Sequence, residues 1–284
     1  AATSHLSRYL YLDSLRDTSN MKEMKHHGEQ SEFILLEILN DDFDHEEALY
    51  LLATLYLKTN RAVLVTKLLE PLAAKCQRVD ILNNLAAAFR NEHYNDKARF
   101  YFDQALKIER HPDILANMAA LQVNEGNPEK GIPYGREALA LNPDNVDASW
   151  NIGLLLLENG EWEEGFSFYS EGLRTGQRII RNYKSKTGEA VFWKGEDFPP
   201  NSTIVLHGEQ GIGDELLFLQ FLPCFIKAYP DVKVILDCHP RLVKALQRSF
   251  HLENVFPTRK IAPEWNETLR VDYKQALGTL PKYF

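Results

Sequence analysis

The sequence predicts an α-solenoid of helical hairpins joined to a small parallel α/β unit, and three observations carry that expectation. An apolar-plus-small residue pair recurs every 33 or 34 residues between about 45 and 180. The turns between paired helices recur in the same register. After residue 200, apolar runs of strand length alternate with helical stretches around a glycine-rich turn.

A chain of 284 residues with 44% hydrophobic content is long enough for two cores. Its formal charge of −8 is uneven: residues after 190 carry 11 basic and 11 acidic side chains, leaving 21 basic and 29 acidic before them. An acidic N-terminal part repels phosphate backbones, so nucleic acid is discounted as a partner. Cys76, Cys224 and Cys238 are far apart and form no CxxC pair, which fits small buried hydrophobes in a reducing compartment. No apolar run reaches the roughly 20 residues of a membrane helix, and the start of the chain has no secretory pattern. The expected location is therefore cytoplasmic, with no membrane span, metal or cofactor.

The repeats are read first. Leu52-Ala53, Leu85-Ala86, Met118-Ala119 and Ile152-Gly153 are spaced by 33, 33 and 34 residues. Val65, Ala98, Gly131 and Gly165 keep the same spacing, as do Leu72, Ala105, Ala138 and Gly172. Turns fall at Thr59-Asn60, Glu92-His93, Glu125-Gly126-Asn127 and Asn159-Gly160, and Pro112 and Pro143 stand near unit ends. Over this stretch the sequence resembles the tetratricopeptide repeat family, whose 34-residue hairpins place small residues where two helices cross. That resemblance implies a groove that holds another polypeptide. Glycine in place of alanine at 165 and 172 predicts a looser last hairpin, at about 1 kcal/mol each.

Asn84, Asn117 and Asn151 each precede an apolar-small pair, in one register. By the resemblance this position faces the concave surface. A side-chain amide there offers donors and an acceptor to an extended peptide backbone, as in the asparagine ladder of O-linked N-acetylglucosamine transferases. The other reading is three polar residues on a solvated face. Residues 1–44 read as a helical cap or tail, with a helix over Glu29–Leu39 and no metal-ligand spacing among His5, His26 and His27.

Beyond the repeats, Gln177–Lys186 reads as a basic helical tail, and Phe192-Trp193 with Phe198-Pro199-Pro200 as part of a linker. Thr203–His207 is an expected strand, 208–213 a glycine turn, Asp214–Tyr229 a helix, Val232–Asp237 a strand, Pro240–Ser249 a helix and Asn254–Pro257 a third strand. Alternation of this kind predicts a partial doubly wound, Rossmann-like sheet. The domains expected are 1–44, 45–180 with about four repeats, a linker at 181–200, and an α/β half-domain at 201–284.

The turn, with Gly208, Gly211 and Gly213, is neither G-x-G-x-x-G nor a Walker loop. Glu209 and Asp214 place carboxylates where a pyrophosphate would sit, so phosphate binding is disfavoured. Asp214 reads equally as a helix-capping residue. Trp193-Lys-Gly195, Glu209-Gln-Gly-Ile-Gly-Asp214, Phe221-Leu-Pro223 and Cys238-His-Pro-Arg241 together resemble the N-terminal half of bacterial heptosyltransferase-like glycosyltransferases. The resemblance implies that Asp214 is a general base. Glu209, Gln210, Gly211, Gly213, His239 and Arg241, with Asp237, lie where a ligand edge is expected, or serve as turn and cap residues. A nucleotide-sugar would need a second Rossmann half that this sequence does not include, so the chain alone is expected to be inactive. The rival expectation is a non-enzymatic adaptor whose α/β segment caps the solenoid.

Overall fold

The structure is a computed structural model that describes residues 2–15, 21–74, 77–173, 178–257 and 262–284. It divides into two compact units, Ala1–Asn151 and Ile152–Phe284.

In the first unit, α1 (Ala2–Leu15) and α2 (Met21–Asp41) pair, and three hairpins follow. These are α3 (Glu46–Lys58) with α4 (Ala62–Leu69), α5 (Val79–Asn91) with α6 (Asn95–Ile108), and α7 (Pro112–Glu125) with α8 (Pro128–Leu141). Next, α9 (Val146–Glu158) runs into the second unit, where α10 (Trp162–Glu171) completes the last hairpin. First helices begin every 33, 33 and 34 residues, as the periodicity predicts. Each packs on its own partner and on the next hairpin, so Leu52, Ala53, Val65, Leu85, Ala86, Ala98, Ala105 and Met118 fall into one continuous core. The turns bend through left-handed residues in the same register: Asn60, His93, Gly126 and Gly160 have φ of 56, 63, 62 and 83°.

Residues 1–44 are more than a cap. The expected helix at Glu29–Leu39 extends over the whole of α2, Leu35 is buried in the solenoid core, and the Glu32 carboxylate takes two hydrogen bonds of 2.8 and 2.9 Å from Arg61.

The second unit holds α10 and a five-stranded sheet. Its strands are β1 (Val191–Phe192), β2 (Thr203–His207), β3 (Lys233–Asp237), β4 (Val255–Phe256) and β5 (Tyr273–Ala276), in the order β1-β5-β2-β3-β4, with every pair parallel. After β2 come α11 (Ile212–Leu219) and α12 (Leu222–Ala228), and α13 (Val243–Phe250) joins β3 to β4. The single helix expected over Asp214–Tyr229 is thus two, broken at Gln220-Phe221 ahead of Pro223, whose ring tolerates only a first turn. Strands β2 and β3 are buried along four of their five residues, which explains their unbroken apolar runs.

Two expectations are corrected here. The glycines of the last hairpin tighten it rather than loosen it: a Cβ on Gly165 would lie 3.0 Å from the Leu157 nitrogen, and one on Gly153 3.0 Å from the Tyr169 nitrogen. Alanine would not fit where these helices cross. The segment 181–200 is no linker, because it supplies β1 and the fully buried Trp193, whose ring is surrounded by Phe198, Phe225, Tyr229 and Tyr283. Of the cysteines, Cys238 is buried as expected but Cys224 is exposed, and Cys76 lies outside the described residues. Among the described residues no helix is long and apolar enough to cross a membrane.

Candidate functional site

Two places gather the residues that the sequence singles out. The first is a groove of about 670 Å³ in the first unit, running across the first helices of three successive hairpins. Tyr50 and Thr54 of α3, Asn83 and Asn84 of α5, and Asp113 and Ile114 of α7 line it.

The half-buried asparagines reach between hairpins. Asn84 Nδ2 donates to Thr54 Oγ1 at 3.1 Å, Asn117 Nδ2 to Asn83 Oδ1 at 2.9 Å, and Asn151 Nδ2 to the Ala116 carbonyl at 3.0 Å. Asn117 Oδ1 also accepts from Arg90 Nη1 at 3.0 Å. One register therefore does one structural job, tying each first helix to the one before it. Neither sequence reading anticipated this, since the partner lies a full repeat away. A half-buried amide hydrogen bond contributes about 1 kcal/mol. Asn84 alone of the three also lines the groove.

The second place is the C-terminal edge of the sheet. Strands β3 and β5 leave β2 on opposite sides, so the strand order reverses there, and in open α/β sheets this is where ligands enter. Here the protein fills that edge itself. Residues 178–183, expected as part of a helical tail, contain no helix and lay two buried arginines across the strand ends; Gln177 lies outside the described residues. Arg178 meets Glu209, just beyond β2, at 2.5 Å. It also donates to the Tyr169 carbonyl of α10 and to Thr279 Oγ1, and its guanidinium stacks 4.6 Å from the Tyr169 ring centre. Arg181 Nη1 meets Asp237, the last residue of β3, at 2.9 Å, and the Tyr183 hydroxyl donates to the same carboxylate at 2.7 Å.

Glu209 and Asp237 are therefore not open ligand-edge groups. Burial holds both carboxyls above their ordinary range, against the pull of their arginines. With Glu209 buried and paired, the electrostatic case against an anion at the turn rests on Asp214 alone. The close fit is visible at Gly278, where a Cβ would lie 2.6 Å from Glu209 Oε1, and at Gly208, where one would run into the buried Glu215 carboxyl. Glu215 in turn accepts from the His239 backbone N–H at 2.7 Å, bridging the loops after β2 and β3.

The remaining candidates are more open. Gln210 accepts from the Tyr169 hydroxyl at 2.6 Å. Gly211 and Gly213 are exposed, and open space surrounds Gly213. Asp214 is exposed in the first turn of α11, where its Oδ2 accepts from the Gly211 N–H at 3.1 Å. This is the carboxylate half of a capping box. His239 Nδ1 accepts from the exposed Arg241 backbone N–H. Sequence reasoning missed Arg178 and Arg181; their signal, two arginines ahead of a glycine-rich turn that carries an acid, is weak.

No protein-family model matches the chain. It is 25% identical to Protein FlbA of Caulobacter vibrioides over 253 residues, covering 72% of this chain and 42% of that protein. It is 38% identical over 72 residues to Photosystem I assembly protein Ycf3 of Acaryochloris marina, covering 24% of this chain and 43% of that protein. The chain thus spans less than half the length of these two curated relatives. Among solved structures it is similar to a thermophilic tetratricopeptide repeat protein of Thermus thermophilus, at 18% identity and a TM-score of 0.49 over 62% of this chain and 92% of that one. It is also similar to MamA, at 16% identity and a TM-score of 0.45 over 57% and 95%. The chain contains a helical-repeat solenoid of tetratricopeptide type.

Proposed function

We propose that the protein is an interaction scaffold that holds an extended polypeptide in the groove of its first unit, with the α/β unit as a structural element. The observation that carries this reading is the groove itself: a hollow on the faces of successive first helices, lined by amide, hydroxyl and aromatic groups that suit a peptide backbone. Asn84 grips the peptide, while Asn117 and Asn151 hold the hairpins that shape the groove. The filled strand edge of the α/β unit supports the non-enzymatic side, because Arg178 and Glu209 take the place a ligand would need. Peptides of twelve residues selected on the protein from an unbiased library provide the test. Exchanging Asn83 and Asn84 for Ala is expected to weaken them by 2- to 12-fold per lost hydrogen bond, equivalent to about 0.5–1.5 kcal/mol. Exchange of the outward-facing Phe100 for Ala is expected to change nothing. Equal binding by the asparagine variants would remove the groove reading.

One observation favours a second reading, a Rossmann-like unit of heptosyltransferase type: the strand order reverses beside the exposed Asp214 carboxylate. With Asp214 as general base, Asp214→Asn would keep the melting temperature and lower sugar transfer from a nucleotide-sugar by about 10²- to 10⁴-fold. Transfer unchanged in that variant would return Asp214 to its hydrogen bond with Gly211.

A further inference from the structure

We infer that the groove selects a segment bearing lysine or arginine; this deepens the peptide-holding reading and rests on it. The second residue of each first helix is acidic: Glu47, Asp80, Asp113 and Asp147 keep the 33, 33 and 34 spacing. Such residues favour a helix N-terminus wherever they occur, so the register alone does not define a surface. What defines it is convergence on one hollow with an unequal charge balance. Asp80, Glu109 and Asp113 line the groove against a single arginine, Arg78. That arginine is already held by Asp80 at 2.5 Å and by Glu47 at 3.2 Å. No lysine or arginine among the described residues pairs with Glu109 or Asp113. Asp113 is fixed in place, its Oδ1 accepting from the buried Asn145 amide at 2.7 Å.

A neutral segment lying here would leave two exposed carboxylates unmatched, and an acidic one would be repelled. A segment carrying cations meets both, and the same field steers it in. The tyrosine face of Tyr50 beside Arg78 adds an aromatic wall to the acidic end of the hollow.

The test uses three fluorescein-labelled twelve-residue peptides in which Ala alternates with Lys, Ser or Glu, read by fluorescence anisotropy against the whole chain. The Lys peptide is expected to bind at least 10-fold more tightly than the Ser peptide, and the Glu peptide least of all. In Glu109→Gln/Asp113→Asn, which keeps the oxygen that accepts from Asn145, the Lys peptide is expected to weaken about 10-fold. The control Asp96→Asn/Glu129→Gln removes two acids from first turns of second helices and is expected to weaken it less than 2-fold. Equal losses in the two double variants would show attraction to bulk charge only and overturn the inference. Ser and Lys peptides bound equally, both weakened by Asn84→Ala, would overturn the inference and leave the groove reading standing. No binding by any of the three would overturn both.

Discussion

Replacing Arg178 with Met is expected to destabilise the second unit by about 3–5 kcal/mol, the cost of breaking a buried ion pair from one side. Arg178 is 1% exposed and Glu209 3%. Removing the guanidinium leaves a carboxylate with no cation in a space too tight to admit a water shell, since a Cβ on Gly278 would already touch it. Met fills much of the alkyl volume, so the loss reads the charge rather than a cavity.

Two further measurements separate the pair from packing. In Arg178→Met/Glu209→Gln the orphaned charge is gone, and most of the loss is expected to return, because a buried pair replaced from both sides is often close to neutral. The single variant also gains a pH dependence. Burial holds the Glu209 carboxyl above its ordinary range even with Arg178 present. Without the arginine its folded value rises further, so the proton-bound folded form is favoured in acid and lost as pH rises through that value. The deficit of Arg178→Met relative to the unaltered protein is thus expected to be smaller at pH 5 than at pH 8. Urea unfolding followed by tryptophan fluorescence measures both. A loss below about 1 kcal/mol, or a double variant as weak as the sum of its parts, would show that the pair does not anchor the strand edge.

What the sequence made legible follows from which forces leave a local mark. The hairpins repeat because each first helix must bury the same face against the same neighbours, so Leu52, Leu85, Met118 and Ile152 recur and the left-handed turn residues recur with them. Strand β2 was readable to the residue, Thr203–His207, because a strand buried on both faces is an unbroken apolar run closed by glycine. Strand β5 was not, because Lys274 and Gln275 at its centre are polar yet buried, satisfied by Glu189 and by the Trp193 carbonyl 82 and more residues away in sequence. The same reason hid the candidate site. The registers of Asn84, Asn117 and Asn151 were visible, but a side chain's partner one repeat back was not. Glu209 and Arg178 each look like surface charge until the fold sets them 2.5 Å apart.

His207 carries the other large effect. It closes β2, is fully buried, and neither ring nitrogen makes a hydrogen bond among the described residues. Its ring centre lies 5.7 Å from that of Tyr183. Burial foremost, then the charges of Arg181 and Arg178, push its pKa well below the ordinary histidine range, so the folded protein holds it neutral at pH 7. The unfolded chain protonates the same ring near pH ~6.5. Below that pH the unfolded state therefore binds a proton that the folded state refuses, and stability falls with pH by up to about 1.4 kcal/mol per unit. From pH 7.5 to 5.0 this one residue is expected to remove about 2 kcal/mol. Glu209 and Asp237, whose carboxyls burial raises, act with the opposite sign in the acid range, so the whole-protein curve is a sum and the residue must be isolated by difference. His207→Phe does so, keeping an aromatic ring beside Tyr183 while removing both nitrogens and the titration. At pH 7.5 it is expected to be close to the unaltered protein, since any overpacking offsets relief of two unpartnered nitrogens. Its advantage should then grow by about 2 kcal/mol on going to pH 5.0, where the other eight histidines act in both proteins alike. Stability curves that run parallel over this range would show that His207 finds a proton-compatible place in the fold, and that the strand edge is less dry than its buried arginines imply.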